Sequence, residues 1–359
     1  AVATRTLPSR ILSLISSMDL YIISVFFLFI LYKLKCSSHR FRNALFTTGQ
    51  HLRICMSAYT LDDVSYAVSL CGLSESEAAE LLENVNKTGE NVSLELLFKY
   101  ADFMVKIDSP RIDSCDIQAG RLWYIEPFCG STTYVIETED RLVLVDSGFP
   151  CYAEQLLSTL RSIFPDYDER KKDLILTHMD MDHAGLLSGF ENIWMSNTSY
   201  EDFLGRADGK PNLRERHPLR TPVYRISSLL SRDISVDTSR MRALNTFEPD
   251  SSKPLSYIGT LNIGPLSFAV YETSGGHVAG SIILYEQANR IVFAGDTLVN
   301  PSDMAKSQME FIQMGTAMLG TMNADSAKAK AERSEFFALL DAGGWILCPG
   351  HGFPIRHQI

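Results

Sequence analysis

The chain has 359 residues, a hydrophobic fraction of 45%, a charged fraction of 21% and a formal net charge of −10. That length allows two or three domains, and the apolar content excludes wholesale disorder and Pro-rich or collagen-like chains. The acidic balance argues against a nucleic-acid partner, which calls for a basic stripe.

Residues 1–55 differ from the rest. They hold one acidic residue, Asp19, and Ile11 to Leu34 is largely apolar, with a dense run from Tyr21 to Tyr32. The run alone is short for a bilayer, which takes about 20 apolar residues. With Ile11–Leu20 included it just reaches. Lys33, Lys35, Arg40 and Arg42 follow it, so an anchor here would leave the bulk of the chain on the cytoplasmic side. The segment reads as a membrane anchor through residues 11–34, a cleaved targeting segment or an unstructured lead. The seven Cys are scattered and never spaced C-x-x-C, which fits reduced thiols in a cytosol-like compartment better than a disulfide framework.

Residues 56–112 read as a small helical segment. Thr60 with Asp63 and Ser74 with Glu77 are capping patterns, and Ser93 opens a third helix. Gly72, the turn Asn86–Gly89 and Ser109-Pro110 are the expected breaks. A packing or dimerisation hairpin is the expected role.

From 113 to 359 strands, Gly turns and helices alternate, as in an α/β domain. A buried strand Arg141–Val145 ends in Asp146-Ser147-Gly148. Another short apolar strand runs into Thr177-His-Met-Asp-Met-Asp-His183. His178, Asp180, Asp182 and His183 are four potential metal ligands on one tight turn, and such a cluster is costly to bury without a cation. Three distant signals complete it: His277 after Gly275-Gly276, Asp296 in Gly-Asp-Thr, and His351 in Pro-Gly-His-Gly. Each lies just past a strand, beside Gly or a small residue.

These five motifs, in this order, resemble the metallo-β-lactamase superfamily over about residues 118–357. The resemblance implies an αββα sandwich, preceded here by the small helical segment, with a dinuclear metal site at one sheet edge. Carried over by position, His178, Asp180 and His277 would hold one divalent ion. Asp182, His183 and His351 would hold a second, Asp296 would bridge the two, and Asp146 would orient the ligand loop from behind. Asp at position 296 looks more like the glyoxalase II and lactonase branches than the β-lactamases proper, which often have Cys there.

One position departs from the usual H-x-H-x-D-H pattern, because Asp180 stands where a His is expected. An anionic oxygen donor extends the metal preference from zinc, usual for the family, toward iron or manganese. It also leaves a two-ion, hydroxide-bridged core neutral overall. The expected function is a metallo-hydrolase in which a bridging hydroxide attacks an ester, lactone, thioester or phosphodiester bond of a small molecule. Asp182 would be both ligand and proton shuttle. The H-x-D-x-D-H pattern also resembles the diiron oxygen or nitric-oxide reductases, although no flavin-binding segment is legible. Metal binding without turnover is the other alternative.

The stretch 188–257 reads as an insertion between motifs. It holds Tyr200, Phe203, Arg206, Arg214, Arg216, His217, Arg220 and Tyr224. It is expected either to form a helical cover or to place one or two Arg for bidentate anchoring of a substrate carboxylate or phosphate.

Overall fold

The computed structural model describes residues 58–89, 91–233, 237–341 and 343–357. The apolar run 11–34 lies outside them. Among the described residues no helix is long and apolar enough to cross a membrane.

Three helices come first: α1 (Leu61–Leu70), α2 (Glu75–Thr88) and α3 (Leu94–Val105). The capping patterns form as read. The Asp63 carboxylate accepts from Thr60 N at 2.8 Å, Glu77 accepts from Ser74 N at 2.7 Å, and Ser93 Oγ accepts from Leu96 N at 3.2 Å. The expected turn at 86–89 is instead the last turn of α2. Asn86 is held by its side chain to Tyr59, Thr88 Oγ1 bonds back to Val85 O, and the helix runs on to Gly89.

Two sheets follow. The first holds β1 (Arg111–Ile117), β2 (Gly120–Glu126), β3 (Thr133–Glu137), β4 (Arg141–Val145), β5 (Lys171–Ile175), β6 (Asn192–Met195) and β7 (Met241–Ala243), in that spatial order. β1 to β4 form an antiparallel meander, and β4 to β7 run parallel. The crossovers carry α4 (Ala153–Ile163) between β4 and β5, and α5 (Asn197–Ala207) and α6 (Thr221–Ser231) between β6 and β7. The second sheet holds β8 (Leu255–Ile263), β9 (Leu266–Thr273), β10 (Ile282–Glu286), β11 (Ile291–Val299), β12 (Trp345–His351) and β13 (Ile355–His357). It is antiparallel except for the β11–β12 pair. Between β11 and β12 lie α7 (Lys306–Leu319) and α8 (Ser326–Ala338).

The apolar faces decide the layering. Leu122, Tyr134, Val143 and Ile175 from the first sheet meet Phe268, Leu284 and Phe293 from the second in one buried cluster. Leu156 and Leu160 of α4 and Phe203 of α5 cover the outer face of the first sheet. Phe336 of α8, with Leu340 beyond it, covers that of the second. Four layers in the order α, β, β, α result. The N-terminal helices do not keep a core of their own. Leu81, Val85, Leu97 and Met104 are buried together with Val223, Ile226 and Leu230 of α6 and Phe311, Met314 and Met318 of α7. The insertion 188–257 therefore adds two parallel strands as well as helices, and α6 joins the helical segment to the sandwich.

β9, β11 and β12 point the same way, so their C-terminal ends share one edge of the second sheet. The edge is stitched to the segments just before β3 and just after β5, and the segments after β4 and β5 are joined to each other. Thr132 N donates to Gly350 O at 2.8 Å, Ile282 N to Thr177 O at 2.8 Å, and Ser147 N to His183 O at 2.8 Å.

Candidate metal centre

All seven residues read as ligands meet at this edge. His178 to His183 form the turn after β5, and His277 sits in the β9–β10 connection. Asp296 lies within β11 at a break in its register with β12, and His351 ends β12. Three groups of ligating atoms are each within 4.8 Å of one another: His178 with Asp180 and His277, His178 with His183 and Asp296, and Asp182 with His183 and His351.

Close backbone approach makes this convergence possible. A Cβ on Gly350 would stand 2.1 Å from Asp296 Oδ1, and one on Gly276 would stand 2.2 Å from Ala329 N at the start of α8. Glycine at these two positions lets β12 and the Gly-Gly-His turn close on the centre.

Each imidazole is fixed through its Nδ1, which leaves Nε2 facing inward. His183 Nδ1 lies 2.8 Å from Asp146 Oδ2, His351 Nδ1 is 3.1 Å from Gly130 O, and His277 Nδ1 is 3.2 Å from Asn323 Oδ1. His178 Nδ1 is 3.0 Å from Thr177 Oγ1, which itself donates to Asp146 Oδ2 at 2.8 Å. Asp146 also accepts from Thr177 N at 2.8 Å. The carboxylate behind the turn thus holds both the backbone and the ring of His183.

The inward atoms are spaced for a cation. Asp296 Oδ1 is 3.2 Å from His183 Nε2 and 3.4 Å from His351 Nε2, and Asp296 Oδ2 is 3.3 Å from His277 Nε2. Asp182 Oδ2 is 3.5 Å from His351 Nε2. A tetrahedral ion with arms of ~2.0–2.1 Å places its donors about 3.3 Å apart. His178 Nε2, His183 Nε2 and Asp296 Oδ1 are buried and have no hydrogen-bond partner among the described residues. Buried polar atoms are rarely left so, and three aimed at one point fit a bound divalent ion.

The electrostatics agree. Burial alone would lower the pKa of His183, but the charges of Asp146, Asp296 and Asp182 outweigh it and hold the ring well above its ordinary value. His351 is raised in the same way against burial, chiefly by Asp296. Burial would raise the Asp296 carboxyl, yet His351, His183 and His277 keep it well below the carboxylate range. An ion entering here displaces protons from imidazoles that the carboxylates already draw toward positive charge.

Arg214 is the residue whose part in the centre the sequence does not single out. It opens a 3-10 turn, Arg214–Arg216, in the insertion and is buried. Its Nε donates to Asp180 Oδ1 at 2.7 Å, and its Nη2 reaches Asp180 Oδ2 and, at 2.7 Å, His277 Nε2. Its Nη1 donates to His277 O at 3.0 Å and Met322 O at 2.9 Å. Burial would raise the Asp180 carboxyl, but the Arg214 guanidinium holds it well below its usual range. Other cations of the insertion point elsewhere: Arg206 pairs with Asp233, Arg216 with Asp202, and Arg220 donates to Asn323 O. Phe203 is core, and Tyr224 lies beside the Arg214 guanidinium, 5.7 Å from ring centre to Cζ.

The family model of the metallo-beta-lactamase superfamily matches residues 127–351. Among solved structures, the chain is similar to the BLEG-1 B3 metallo-beta-lactamase at 19% identity and a TM-score of 0.39, covering 68% of this chain and 94% of that one. It is similar to the Rm3 metallo-beta-lactamase at 16% identity and a TM-score of 0.43, covering 70% and 81%. A point mutant of a flavo di-iron protein from Thermotoga maritima matches at 16% identity and a TM-score of 0.43, covering 69% of this chain and 58% of that protein, less than two thirds of its length. No curated protein matches the chain in sequence. With the family model spanning most of the sandwich and all seven residues that meet at its edge, the chain belongs to the metallo-beta-lactamase superfamily.

Proposed function

We propose that the protein is a metal-dependent hydrolase that cleaves an ester, lactone, thioester or phosphodiester bond of a small-molecule substrate. The observation that carries this reading is the set of three buried, unpartnered donor atoms on His178, His183 and Asp296, converging beside Asp182 and His351. A divalent ion at such a set supplies Lewis acidity and lowers the pKa of its water toward ~7, which makes a nucleophile available at neutral pH. Zinc is the ion the family favours; the oxygen donors of Asp182 and Asp296 also admit iron or manganese.

The chain's own residues divide the remaining work. Asp146, Gly130 O, Asn323 and Thr177 fix the four imidazoles so that little reorganisation accompanies reaction. Asp182 is the more open of the carboxylates beside His351, with its side chain 17% exposed, and is placed to take a proton from water and hand it to a leaving group.

The test is turnover of a chromogenic panel (an aryl ester, a lactone, a thioester and a bis-aryl phosphodiester) without any electron donor. Activity on at least one class, abolished by chelation and restored by zinc, manganese or iron, is expected, as is its loss in Asp182→Asn. Turnover that appears only with a reductant would support the reductase reading instead.

A further inference from the structure

We infer that the Arg214 guanidinium takes the place of one of the two cations, so that the centre binds a single metal ion, at Asp182, His183, His351 and Asp296. The inference rests on the metal-centre reading above and changes its stoichiometry.

The geometry is specific. A guanidinium has five N–H donors and no acceptor. At Arg214 all five are used: one on each Asp180 oxygen, one on His277 Nε2, and two on the carbonyls of His277 and Met322. Two of the three side chains that would hold the first ion are therefore already engaged by a permanent positive charge. The one lone pair of a neutral imidazole nitrogen cannot serve an N–H group and a metal ion together, so the Arg214 contact closes His277 Nε2 to an ion, and the same guanidinium already neutralises Asp180. With every donor spent, Arg214 is also not free to anchor a substrate carboxylate or phosphate.

The arginine is held in place from behind. Asp202 of α5 accepts from Leu213 N at 2.8 Å, and Glu215 N donates to Asn212 Oδ1 at 3.0 Å. Glu215 also pairs with Arg225 of α6 at 2.7 Å, and Thr221 Oγ1 donates to Glu215 O at 2.7 Å. Side chains on two helices thus fix the turn that delivers Arg214.

Charge balance agrees. The carboxylates of Asp180, Asp182 and Asp296 face the centre. One divalent ion together with Arg214 neutralises all three, whereas adding the guanidinium to the two-ion, hydroxide-bridged core would leave a net positive charge in a buried site, which is costly. Arginine cannot shed its proton to relieve that. This also gives Asp180 a reason to replace the expected His. A neutral imidazole suits a metal, whereas a carboxylate matches the planar fork of a guanidinium in bidentate fashion. The three unpartnered atoms are compatible with this: His183 Nε2 and Asp296 Oδ1 belong to the remaining ion, and His178 Nε2, the one donor of the first group that Arg214 leaves unused, lies within 4.8 Å of both.

The experiment is metal content per chain by mass spectrometry. The full-length protein is loaded with excess zinc and desalted, with electron paramagnetic resonance of the manganese-loaded form beside it. About one ion per chain and an uncoupled manganese spectrum are expected, rising to about two in Arg214→Ala, where His178, Asp180 and His277 become free to bind. Arg214→Lys keeps the charge and is expected to stay at about one. His277→Ala should retain the ion and His351→Ala should lose it, a contrast that holds the inference testable if Arg214→Ala does not fold. Two ions in the natural protein, a spin-coupled manganese pair, or retention by His351→Ala with loss in His277→Ala would overturn it. The absence of any bound ion would sink the metal-centre reading itself, whereas one ion without hydrolysis would sink only the proposed activity.

Discussion

Asp146 Oδ2 sits 2.8 Å from His183 Nδ1, and the residue that provides it adopts a left-handed backbone, with φ of 58°. A non-glycine residue in that region costs about 1–2 kcal/mol, and it persists because the same carboxylate also takes both donors of Thr177. The strain is spent on aiming one ligand. Asp146→Asn keeps a residue tolerant of that backbone but loses the charge opposite His183. Metal affinity is expected to fall about 10–100-fold, read by competition with a chromogenic chelator. An unchanged affinity would remove Asp146 from the support of the site.

Gly350→Ala tests the closeness of β12 to β11. Its Cβ would meet Asp296 Oδ1 at 2.1 Å, so the carboxylate or the strand must shift. Bound metal should be lost while far-ultraviolet circular dichroism stays near that of the natural chain, because the clash is local to the ligand. Full metal retention would show that the edge relaxes without moving Asp296.

Leu97→Ala tests whether the helical segment is part of the main core. Leu97 is fully buried among residues of α2, α6 and α7. The substitution is expected to cost about 2–5 kcal/mol and to shift a single urea transition followed by both tryptophan fluorescence and circular dichroism. A separate early transition confined to residues 58–105 would instead mark an independent unit.

Asp202 gives a pH signature. Burial pushes its carboxyl up to about 6, against the pull of Leu213 N, Arg206 and Arg216, and Asp202 Oδ2 has no hydrogen-bond partner among the described residues. The unfolded chain has this group near 3.9. The native state therefore holds the proton more tightly, and Asp202's contribution to stability is full below about pH 4 and lost as pH rises through about 6. Asp202→Asn keeps the acceptor for Leu213 N and removes the titration. Its stability should gain on the natural protein between pH 4 and 7, measured by urea melts at several pH values. Parallel pH profiles for the two would contradict the buried-acid assignment.

The sequence by itself picked out the seven residues that meet at this edge, because the motifs that hold them follow apolar strands and carry small residues, and those local signals survive without knowledge of contacts. His178 to His183 are neighbours in the chain, and Asp146, His277, Asp296 and His351 follow buried apolar strands that announce themselves. The helix caps at Thr60, Ser74 and Ser93 were legible for the same reason, since their partners are three residues away. β1 was not legible, because an edge strand with exposed Asp113 and Asp116 lacks the apolar run that marks an inner strand. Nor was the union of α1–α3 with α6 and α7, since apolar helix faces do not name their partners. Only the tertiary structure decided which arginine of the insertion meets Asp180. Arg214 lies 34 residues further along and carries no local mark to set it apart from Arg206, Arg216 or Arg220. Its role follows from the crossover between β6 and β7, which brings one fixed charge back over the edge where the ligands converge.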